Sequence, residues 1–397
     1  MLHLLEIENF FSFKDSNALD LRVKPKAGDR ELFADDPAGG RVNKIAAIFG
    51  ANASGKTQLL KALAFLRWWV VDSAKADPDK TIIPMSFVFD DDARSSPTRF
   101  RIEFSHGEEM FAYEVTLDSK RVLTESLRYI KIRWNIAFAR TWNETDKEYE
   151  FSPATETGWR DLTVRQNASL ISWGALQERP RAGKVAAFFK SIQTNLNPAG
   201  RSPEADPHFE TLREAAAHFE TNPDQLSWVN ERLSHFDLGL AGVRIRRLKT
   251  VINGSDTEMP WPEGIHPCAN GAEAYLPLVT ESRGTQALFV MLRYLLPVLS
   301  SGGVAVVDEF ETGLHSHMLP ILTDLFLGRH NNKNAQLIFS CHSDFLLTHL
   351  DKYQVYLTGK TESGATQVWR ADETGIRNQQ NLYAKYHAGH LGGVPAF

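Results

Sequence analysis

The sequence predicts an α/β protein in which a parallel-sheet core carries an attached antiparallel β subdomain and an inserted helical domain. A glycine-rich loop at 50–57 lies between a short apolar strand and a helix. Strand-like segments follow between residues 87 and 134, and a second apolar strand at 303–307 ends in two acids. These patterns divide the chain into a first lobe at 1–150, a mostly helical insertion at 151–270 and a second lobe at 271–397.

Composition narrows the class of protein. The 397 residues carry a net charge of −5, so no global positive field attracts nucleic acid or an anionic membrane, although binding of nucleic acid by a local patch stays open. The two cysteines are too few for a disulfide framework and suit a reducing compartment. The start of the chain lacks the pattern of a signal peptide, and the apolar run Ala287–Leu299 is interrupted by an arginine and a proline. We therefore expect a cytoplasmic protein without a membrane partner.

The first strands enclose an aromatic turn. Leu4–Asn9 and Leu19–Val23 alternate apolar and polar residues, as half-buried strands do. The turn between them, Asn9–Lys14, holds three phenylalanines. These rings either stack on an adenine base or fill the core of a small sheet, and the second role is the more frequent one for aromatic residues.

Residues 50–57 fit the G-x-x-x-x-G-K-[ST] pattern of phosphate-binding loops. The two glycines let the backbone fold its N–H groups around phosphate oxygens, and the helix N-terminus adds a favourable dipole. The lysine is expected to reach the β- and γ-phosphates, and the threonine hydroxyl is expected to bind Mg²⁺. The residues predicted to hold a nucleotide are Gly50, Asn52, Ala53, Ser54, Gly55, Lys56 and Thr57.

An antiparallel sheet is predicted after this loop and its helix. Four segments have β-rich composition and alternation, and turn signals separate them. They are Phe87–Phe89, Thr98–Phe104, Met110–Leu117 and Leu127–Trp134.

The insertion at 151–270 is predicted from helical spacing in Val185–Ile192, Phe209–Phe219 and Gln225–Phe236, with prolines between them. The basic cluster Arg244–Lys249 either contacts the phosphates of a nucleic acid or forms the solvated face of a strand, which is the commoner role. Val251–Pro267 is predicted as a turn-rich loop.

The second half of the predicted nucleotide site follows the strand at 303–307. A buried strand that ends in an acid commonly supports Mg²⁺ beside a phosphate loop, and Asp308 fits that role. Glu309 is the candidate general base that polarises the attacking water, with Glu311 as the alternative. The next strand ends at His342, where an imidazole could sense the γ-phosphate, although a lone histidine is more often structural.

Ser282 and Gly284 begin an apolar helix in the second lobe. Serine is a natural N-cap, and glycine permits a close approach of the backbone. The start of this helix is therefore a second candidate anion site, although any capped helix has the same pattern.

Several of these motifs together resemble a known family. They are Asn9–Phe13, Gly50–Thr57, Pro97–Phe100, Glu281–Thr285, Asp308–Glu309 with Gly313–His315, Cys341–Ser343 and the tail Tyr386–Pro395. This combination resembles P-loop ABC-type ATPases of the SMC and OLD lineage. It most resembles the stand-alone AAA ATPases of bacterial abortive-infection and phage-defence operons, such as AriA of PARIS systems and the AbiL group. The resemblance spans the ATPase core and is weak through 151–270.

The resemblance implies ATP and Mg²⁺ as cofactors and a slow ATPase activity. Two ATPase faces pair head to tail in such a homodimer or higher homo-oligomer, so that Ser282 and Gly284 of one subunit complete the neighbour's nucleotide site. The resemblance assigns the metal to Thr57 and Asp308, and catalysis to Glu309 and to His342 as the switch histidine.

Two features depart from the family pattern, and one residue of that pattern has only a candidate here. Gln177 is the candidate for the family's glutamine between the lobes. The signature at Glu281–Thr285 differs from the transporter sequence Leu-Ser-Gly-Gly-Gln, and Phe11 replaces the arginine usual in the aromatic turn.

The leading functional hypothesis is an ATP-dependent sensor and scaffold of an anti-phage system, which acts with a separately encoded effector and has a phage protein as candidate trigger. The alternatives are an SMC- or RecF-like ATPase of DNA repair or chromosome maintenance, and a nucleotide-gated binding module with negligible hydrolysis. The repair hypothesis calls for a long coiled coil or a strongly basic groove, which the sequence lacks. The 55 residues after His342 contain no Asp-x-Asp pair, so we expect no OLD-type nuclease domain and no toxic activity of the chain itself.

Overall fold

The computed structural model describes the chain except for residues 25–26, 28, 37–38, 78–80, 83–85, 131, 155, 157, 163, 199, 202–208, 234–238, 253–254, 329–330, 378–379 and 395–397. The strands are β1 (Leu2–Glu8), β2 (Asn17–Asp20), β3 (Arg22–Val23), β4 (Phe33–Asp35), β5 (Arg41–Asn43), β6 (Ile45–Gly50), β7 (Thr98–His106), β8 (Glu109–Leu117), β9 (Val122–Ile130), β10 (Trp134–Asn143), β11 (Glu148–Phe151), β12 (Ile192–Thr194), β13 (Leu196–Asn197), β14 (Gly200–Arg201), β15 (Gly242–Ile252), β16 (Ser255–Pro267), β17 (Glu273–Pro277), β18 (Val304–Val307), β19 (Gln336–Ser340), β20 (Val355–Lys360) and β21 (Thr366–Arg370). The helices are α1 (Lys56–Asp72), α2 (Asp91–Ser95), α3 (Leu170–Leu176), α4 (Pro180–Lys190), α5 (Phe209–Thr221), α6 (Pro223–Leu233), α7 (Arg283–Ser301), α8 (Met318–Leu327) and α9 (Leu382–His387).

A six-stranded sheet forms the centre of the molecule, in the order β12-β18-β19-β6-β20-β21. Its strands are parallel from β12 to β20, and β21 is antiparallel. Alternate residues of β6 face different cores: Ala46 and Ile48 pack with α1, whereas Ala47 and Phe49 pack with α7 and α8. Apolar side chains on both faces explain why such strands are continuously apolar in the sequence. The carboxyl ends of β6, β18 and β19 therefore meet at one edge.

The attached antiparallel sheet has seven strands in the order β11-β10-β9-β8-β7-β1-β2. It packs on α1 and α4; Phe104 of β7 stacks on Phe188 of α4 with ring centroids 4.1 Å apart. The prediction of an antiparallel sheet on an α/β core is confirmed. The segment Phe87–Phe89 is not one of its strands, because the chain bends there before α2, with Phe87 buried and Phe89 75% exposed.

The insertion at 151–270 contains strands as well as the helices α3 to α6, so it is less helical than the sequence pattern indicates. Its strand β12 belongs to the central sheet, since it pairs with β18. The end of Gln225–Phe236 lies partly outside the described residues, and α6 ends at Leu233.

The predicted loop Val251–Pro267 is instead mostly the long strand β16, which pairs with β15. Proline cannot donate a hydrogen bond to a sheet ladder. Strand β17 covers the other edge of β16 only between Glu263 and Pro267. Among the described residues, β16 therefore pairs with β15 alone at Pro260 and Pro262. Residues two apart direct their backbone nitrogens the same way, so a strand with one unpaired edge tolerates both prolines.

Within the part of the chain that the structure describes, no helix is long and apolar enough to cross a membrane.

Candidate nucleotide-binding site

The glycines of the loop at 50–57 are required by close packing behind it. A Cβ atom on Gly50, where φ is 155°, would lie 2.5 Å from Thr358 Oγ1 of β20. A Cβ atom on Gly55, where φ is 111°, would lie 2.5 Å from Thr366 Oγ1 of β21. Only a residue without a side chain fits at either position.

Hydroxyl groups hydrogen-bond the buried side of the loop to β20 and β21. Ser54 Oγ lies 2.6 Å from Thr358 Oγ1, and Thr366 Oγ1 donates to the Ser54 carbonyl oxygen at 2.9 Å. Asn52 and Ala53, at the front of the loop, are exposed, and Ala53 adopts a left-handed φ of 62°. The loop is thus held from behind, and its front faces solvent.

Lys56 is buried, and its Nζ donates to the carbonyl oxygens of Gly50 at 2.8 Å and Ala51 at 3.0 Å. Burial lowers the pKa of Lys56, and the negative charges of Glu311 and Asp308 oppose that shift. The ammonium group therefore lies against the loop backbone in an acidic surrounding.

Thr57 and Asp308 meet across the carboxyl ends of β6 and β18. Thr57 Oγ1 lies 3.1 Å from Asp308 Oδ1 and 3.0 Å from Oδ2, and Asp308 is 2% exposed. Magnesium prefers hard oxygen ligands and commonly binds through one or two carboxylates together with substrate phosphates and water. A hydroxyl and a carboxylate beside a phosphate loop therefore fit this ion.

Two residues that the sequence analysis missed hold Asp308 in place. Ser340 Oγ donates to Asp308 Oδ1 at 2.6 Å and accepts from the backbone N–H of Glu309 at 2.8 Å. Asn195 accepts from the backbone N–H of Asp308 at 2.8 Å and donates to its carbonyl oxygen at 3.0 Å. The position of Ser340 is predictable from the sequence, because it ends the strand before His342. Asn195 lies 113 residues before Asp308, and no local sequence pattern places it beside that residue.

Glu309 and Glu311 occupy the turn after β18. Glu309 adopts a left-handed φ of 51°, is half-buried, and its Oε2 accepts from Thr312 Oγ1 at 3.2 Å. Glu311 Oε1 accepts from the backbone N–H of His342 at 2.8 Å. Both carboxylates thus lie on the same edge of the sheet as Lys56 and Asp308.

His342 is exposed and lines a cleft of about 770 Å³. Gly50, Ala51 and Asn52 form another wall of this cleft, and Tyr386 of α9 forms a third. The structure therefore brings the histidine and the front of the loop to one cavity.

Ser282 is the N-cap of α7, as the sequence predicts, and its Oγ accepts from the backbone N–H of Thr285 at 3.1 Å. A Cβ atom on Gly284 would lie 3.4 Å from the carbonyl oxygen of Gly313, in the segment that follows Glu311. Among the described residues, neither Ser282 nor Gly284 hydrogen-bonds residues 50–57 of its own chain.

The structure does not bring Gln177 to this site. Gln177 is the exposed C-cap of α3. The N-cap of α3 is Ser169, whose backbone N–H donates to Ser73 Oγ just after the carboxyl end of α1. The 17-residue helix α1 is about 25 Å long and the 7-residue α3 about 10 Å. Gln177 therefore lies well away from the loop that begins α1, and Asn195 is the amide side chain beside Asp308.

The aromatic turn fills the core. Phe10 is 1% exposed and Phe13 is fully buried, so neither ring is open to a base. Phe11 is half-buried and lies under Lys61, whose Nζ is 4.4 Å from the ring centroid. Of the two roles that the sequence left open for this turn, core packing is the one observed for Phe10 and Phe13.

Two solved structures are similar to this chain. The crystal structure of an SMC head (SmcHead) bound to the C-winged helix domain of ScpA matches 93% of this chain and 97% of its own, with a TM-score of 0.50 at 14% identity. The SMC head domain from Thermotoga maritima matches 93% of this chain and 98% of its own, with a TM-score of 0.43 at 16% identity. At 14% identity, the similarity to the first of these structures shows an SMC-head-type ATPase fold and does not show a more specific function.

No curated protein is significantly similar in sequence. One family matches residues 45–348, which include the phosphate loop, the acids after β18 and His342. Because this match spans more than half of the chain, the chain belongs to the family described as "AAA domain, putative AbiEii toxin, Type IV TA system".

Proposed function

We propose that the chain binds ATP with Mg²⁺ at residues 50–57 and 308–309 and hydrolyses it slowly. The observation that carries this proposal is the approach of Thr57 Oγ1 to within 3.1 Å of both carboxylate oxygens of Asp308, directly after Lys56. A hydroxyl, a carboxylate and a lysine at the mouth of a glycine-rich loop are the groups that a metal–nucleotide complex needs.

The positions of the side chains support the following roles. Lys56 binds the β- and γ-phosphates once its ammonium leaves the carbonyl oxygens of Gly50 and Ala51. Asp308 and Thr57 would hold Mg²⁺, which would supply charge neutralisation at the phosphates. Glu309 accepts a proton from the attacking water, and His342 contacts the terminal phosphate.

Lys56→Ala tests the nucleotide site. We expect the affinity for ATP to fall by about 100-fold or more, because charge-assisted hydrogen bonds from a buried lysine to phosphate are lost. The measurement is calorimetry with Mg²⁺ and ATP, and Lys120→Ala, at an exposed position in the turn after β8, is the matched control. Equal affinity of the Lys56 variant and the unaltered chain would refute the site.

We further propose that the chain is the sensor and scaffold of an anti-phage, abortive-infection system and works with a separately encoded effector. The family description, which names a toxin–antitoxin system, supports a role in this kind of biology. ATP shifts a conformational equilibrium only if it binds one conformation better than the other. The effector would therefore be held on one nucleotide state of the chain. A phage protein is the candidate trigger that changes this nucleotide state.

The same description names a putative toxin, so a chain that cleaves nucleic acid by itself is the competing proposal. Incubation of the purified chain with Mg²⁺, ATP and plasmid DNA or tRNA distinguishes the two. Robust cleavage that persists in Lys56→Ala and disappears on mutation of acids in 151–270 would contradict the sensor role.

The alternative of a DNA-repair ATPase rests on the fold alone. The basic cluster lies on β15, and two glutamates pair with its three arginines. Arg244 and Arg246 pair with Glu263 at 2.7 and 3.3 Å, and Arg247 pairs with Glu220 at 2.8 Å. These glutamates offset part of the positive charge of the cluster, which reduces its attraction for nucleic acid.

A second test addresses the proposed head-to-tail homo-oligomer with composite sites. Lys56→Ala and Gly284→Asp chains are each expected to be inactive, and a mixed dimer is expected to regain one intact site, because both lesions fall in the other. A side chain at Gly284 meets only ordinary contacts at 3.4 Å, so the variant should fold. ATPase activity is measured after subunit exchange has been verified by differently tagged chains. Absence of any recovery would count against composite sites.

A further inference from the structure

Strand β10 lies near one edge of the seven-stranded antiparallel sheet, and only its second half is covered on that side. Strand β11 pairs with residues 140–143, and the backbone N–H of Ser152 donates to the carbonyl oxygen of Ala139 at 3.0 Å. No residue that the structure describes pairs with residues 134–138 on that side. These five residues therefore have an open edge, where backbone N–H and C=O groups can pair with another strand.

The open edge also carries an apolar row on its outward face. Tyr129 of β9 faces α4, because the guanidinium of Arg181 lies 3.4 Å from its ring centroid. Arg128, the residue before Tyr129, therefore faces away from the helices. Ile136 lies directly opposite Arg128 and shares that outward face, as does Trp134 two residues earlier. Ile136 and Trp134 are 38% and 43% exposed, on a face that is usually polar.

Two other sheet edges carry protection that this one lacks. At the opposite edge of the same sheet, β2 contacts β21, where the backbone N–H of Val368 donates to Asn17 Oδ1 at 2.9 Å. Strand β17 begins with Glu273 and ends with Pro277, and charges and prolines hinder the addition of a strand. Residues 134–138 are Trp, Asn, Ile, Ala and Phe, without a charge or a proline. An open edge of this composition favours pairing with another strand.

We propose that two copies of the chain pair through this edge, with residues 134–138 of one copy antiparallel to residues 134–138 of the other. Ile136 is the middle of the open segment, so a twofold axis there would place it opposite its counterpart. The same surface then serves both copies, as in other twofold interfaces. The antiparallel sheets of the two copies would become one continuous sheet.

The charges around the edge are compatible with a second copy. Residues 134–138 are uncharged, so no like charges meet between the two paired strands. Arg128 lies on the next strand, and its guanidinium is 5.6 Å from the ring centroid of Trp134 in the same copy. The two arginines of a dimer would be three strand spacings apart, about 14 Å. This distance exceeds the Debye length of about 8 Å at physiological salt, so their repulsion would be weak.

Ile136→Lys tests the interface by sedimentation of the full chain over a concentration series without nucleotide. We expect the unaltered chain to form a dimer and Ile136→Lys to raise its dissociation constant at least about tenfold, because two like charges would face each other across the paired edges. Ile321→Lys, at a position of α8 that is 40% exposed, adds the same charge elsewhere and should leave the dimer intact. Gly284→Asp should also keep it, which distinguishes this dimer from the proposed head-to-tail contact.

Cross-linking tests the register. Ile136→Cys in a Cys268→Ser background, which lacks the exposed cysteine, would place two thiols opposite each other. Cα atoms of directly opposite residues are about 4.5–5.5 Å apart, within the range that a disulfide bridges. Under mild oxidation we expect a covalent dimer to form at least about tenfold faster than with Ile321→Cys in the same background, because pairing raises the effective concentration of the thiols.

Three results would contradict the proposal. A chain that stays monomeric without nucleotide would overturn it and leave the edge to a different protein. A dimer that survives Ile136→Lys and does not cross-link through Ile136→Cys would use another surface. A dimer that Gly284→Asp abolishes would belong to the head-to-tail contact instead. Should Ile136→Lys fail to fold, the cross-linking of Ile136→Cys decides.

Discussion

Glu309→Gln is expected to bind ATP at least as tightly as the unaltered chain and to hydrolyse it about 10²- to 10⁴-fold more slowly. The amide keeps the size of the side chain and its contact with Thr312, but it cannot take a proton from water. Removal of a negative charge near the γ-phosphate does not weaken binding. The variant therefore separates ATP binding from hydrolysis. Calorimetry measures the binding, and single-turnover phosphate release measures the hydrolysis.

The neighbouring acids provide the comparison for this variant. Glu311→Gln is the test of the alternative base, and Glu148→Gln is the control for loss of charge at an exposed position. Asp308→Asn is expected to behave differently from Glu309→Gln, because Asp308 contacts Thr57 and Ser340 and its loss should weaken the dependence of binding on Mg²⁺. A full defect in Glu311→Gln with an active Glu309→Gln would reverse the assignment of the base.

Local patterns were sufficient for the parts of the site that neighbouring residues build. The loop at 50–57 has its strand before it and its helix after it, and Ser282 caps α7, because these features depend on residues within one or two turns. The convergence of Thr57, Asp308 and His342 also followed, since carboxyl ends of parallel strands lie at one edge of a sheet.

The remaining features depend on contacts between distant segments. Asn195 follows a strand of three residues and owes its role to the pairing of β12 with β18, which no local period reveals. Gln177 was assigned by analogy with the family, and the packing of α3 after the far end of α1 removes it from the loop. In β16, the place of Pro260 and Pro262 is understood only because the pairing with β17 ends at Glu263 and Pro277.

The first lobe contains a buried ionic network that connects the antiparallel sheet to the helices beside it. Glu125 of β9 and Arg140 of β10 are 0% and 1% exposed at their side chains, and Arg140 Nη2 lies 2.6 Å from Glu125 Oε2. Glu125 also accepts from the Tyr113 hydroxyl at 2.7 Å and from Ser169 Oγ, the N-cap of α3, at 2.8 Å. Burial, together with the charge of Glu125, raises the pKa of Tyr113 well above its ordinary value, so the hydroxyl remains a donor.

Glu125→Ala is expected to lower the free energy of unfolding of this lobe by about 3–5 kcal/mol, since Arg140 would remain buried without a counter-charge. Three further donors, on Tyr113, Ser169 and the backbone of Leu170, would lose their acceptor. The measurement is the shift in the urea midpoint, with the slope of the transition checked for constancy. Retained ATP binding by this variant in the absence of urea would show that the loss is one of stability.

Two comparisons determine whether the buried charge is the cause. Glu210→Ala, which removes a partly exposed ion pair with Arg213 on α5, is expected to change stability by less than about 1 kcal/mol. The double variant Glu125→Leu with Arg140→Met removes both charges and is expected to be more stable than Glu125→Ala, because no unpaired ion remains in the core. The loss of stability in the double variant could equal the sum of the losses in Glu125→Leu and Arg140→Met measured separately. In that case lost packing and hydrogen bonds cause the destabilisation, and the argument from the unpaired arginine is wrong.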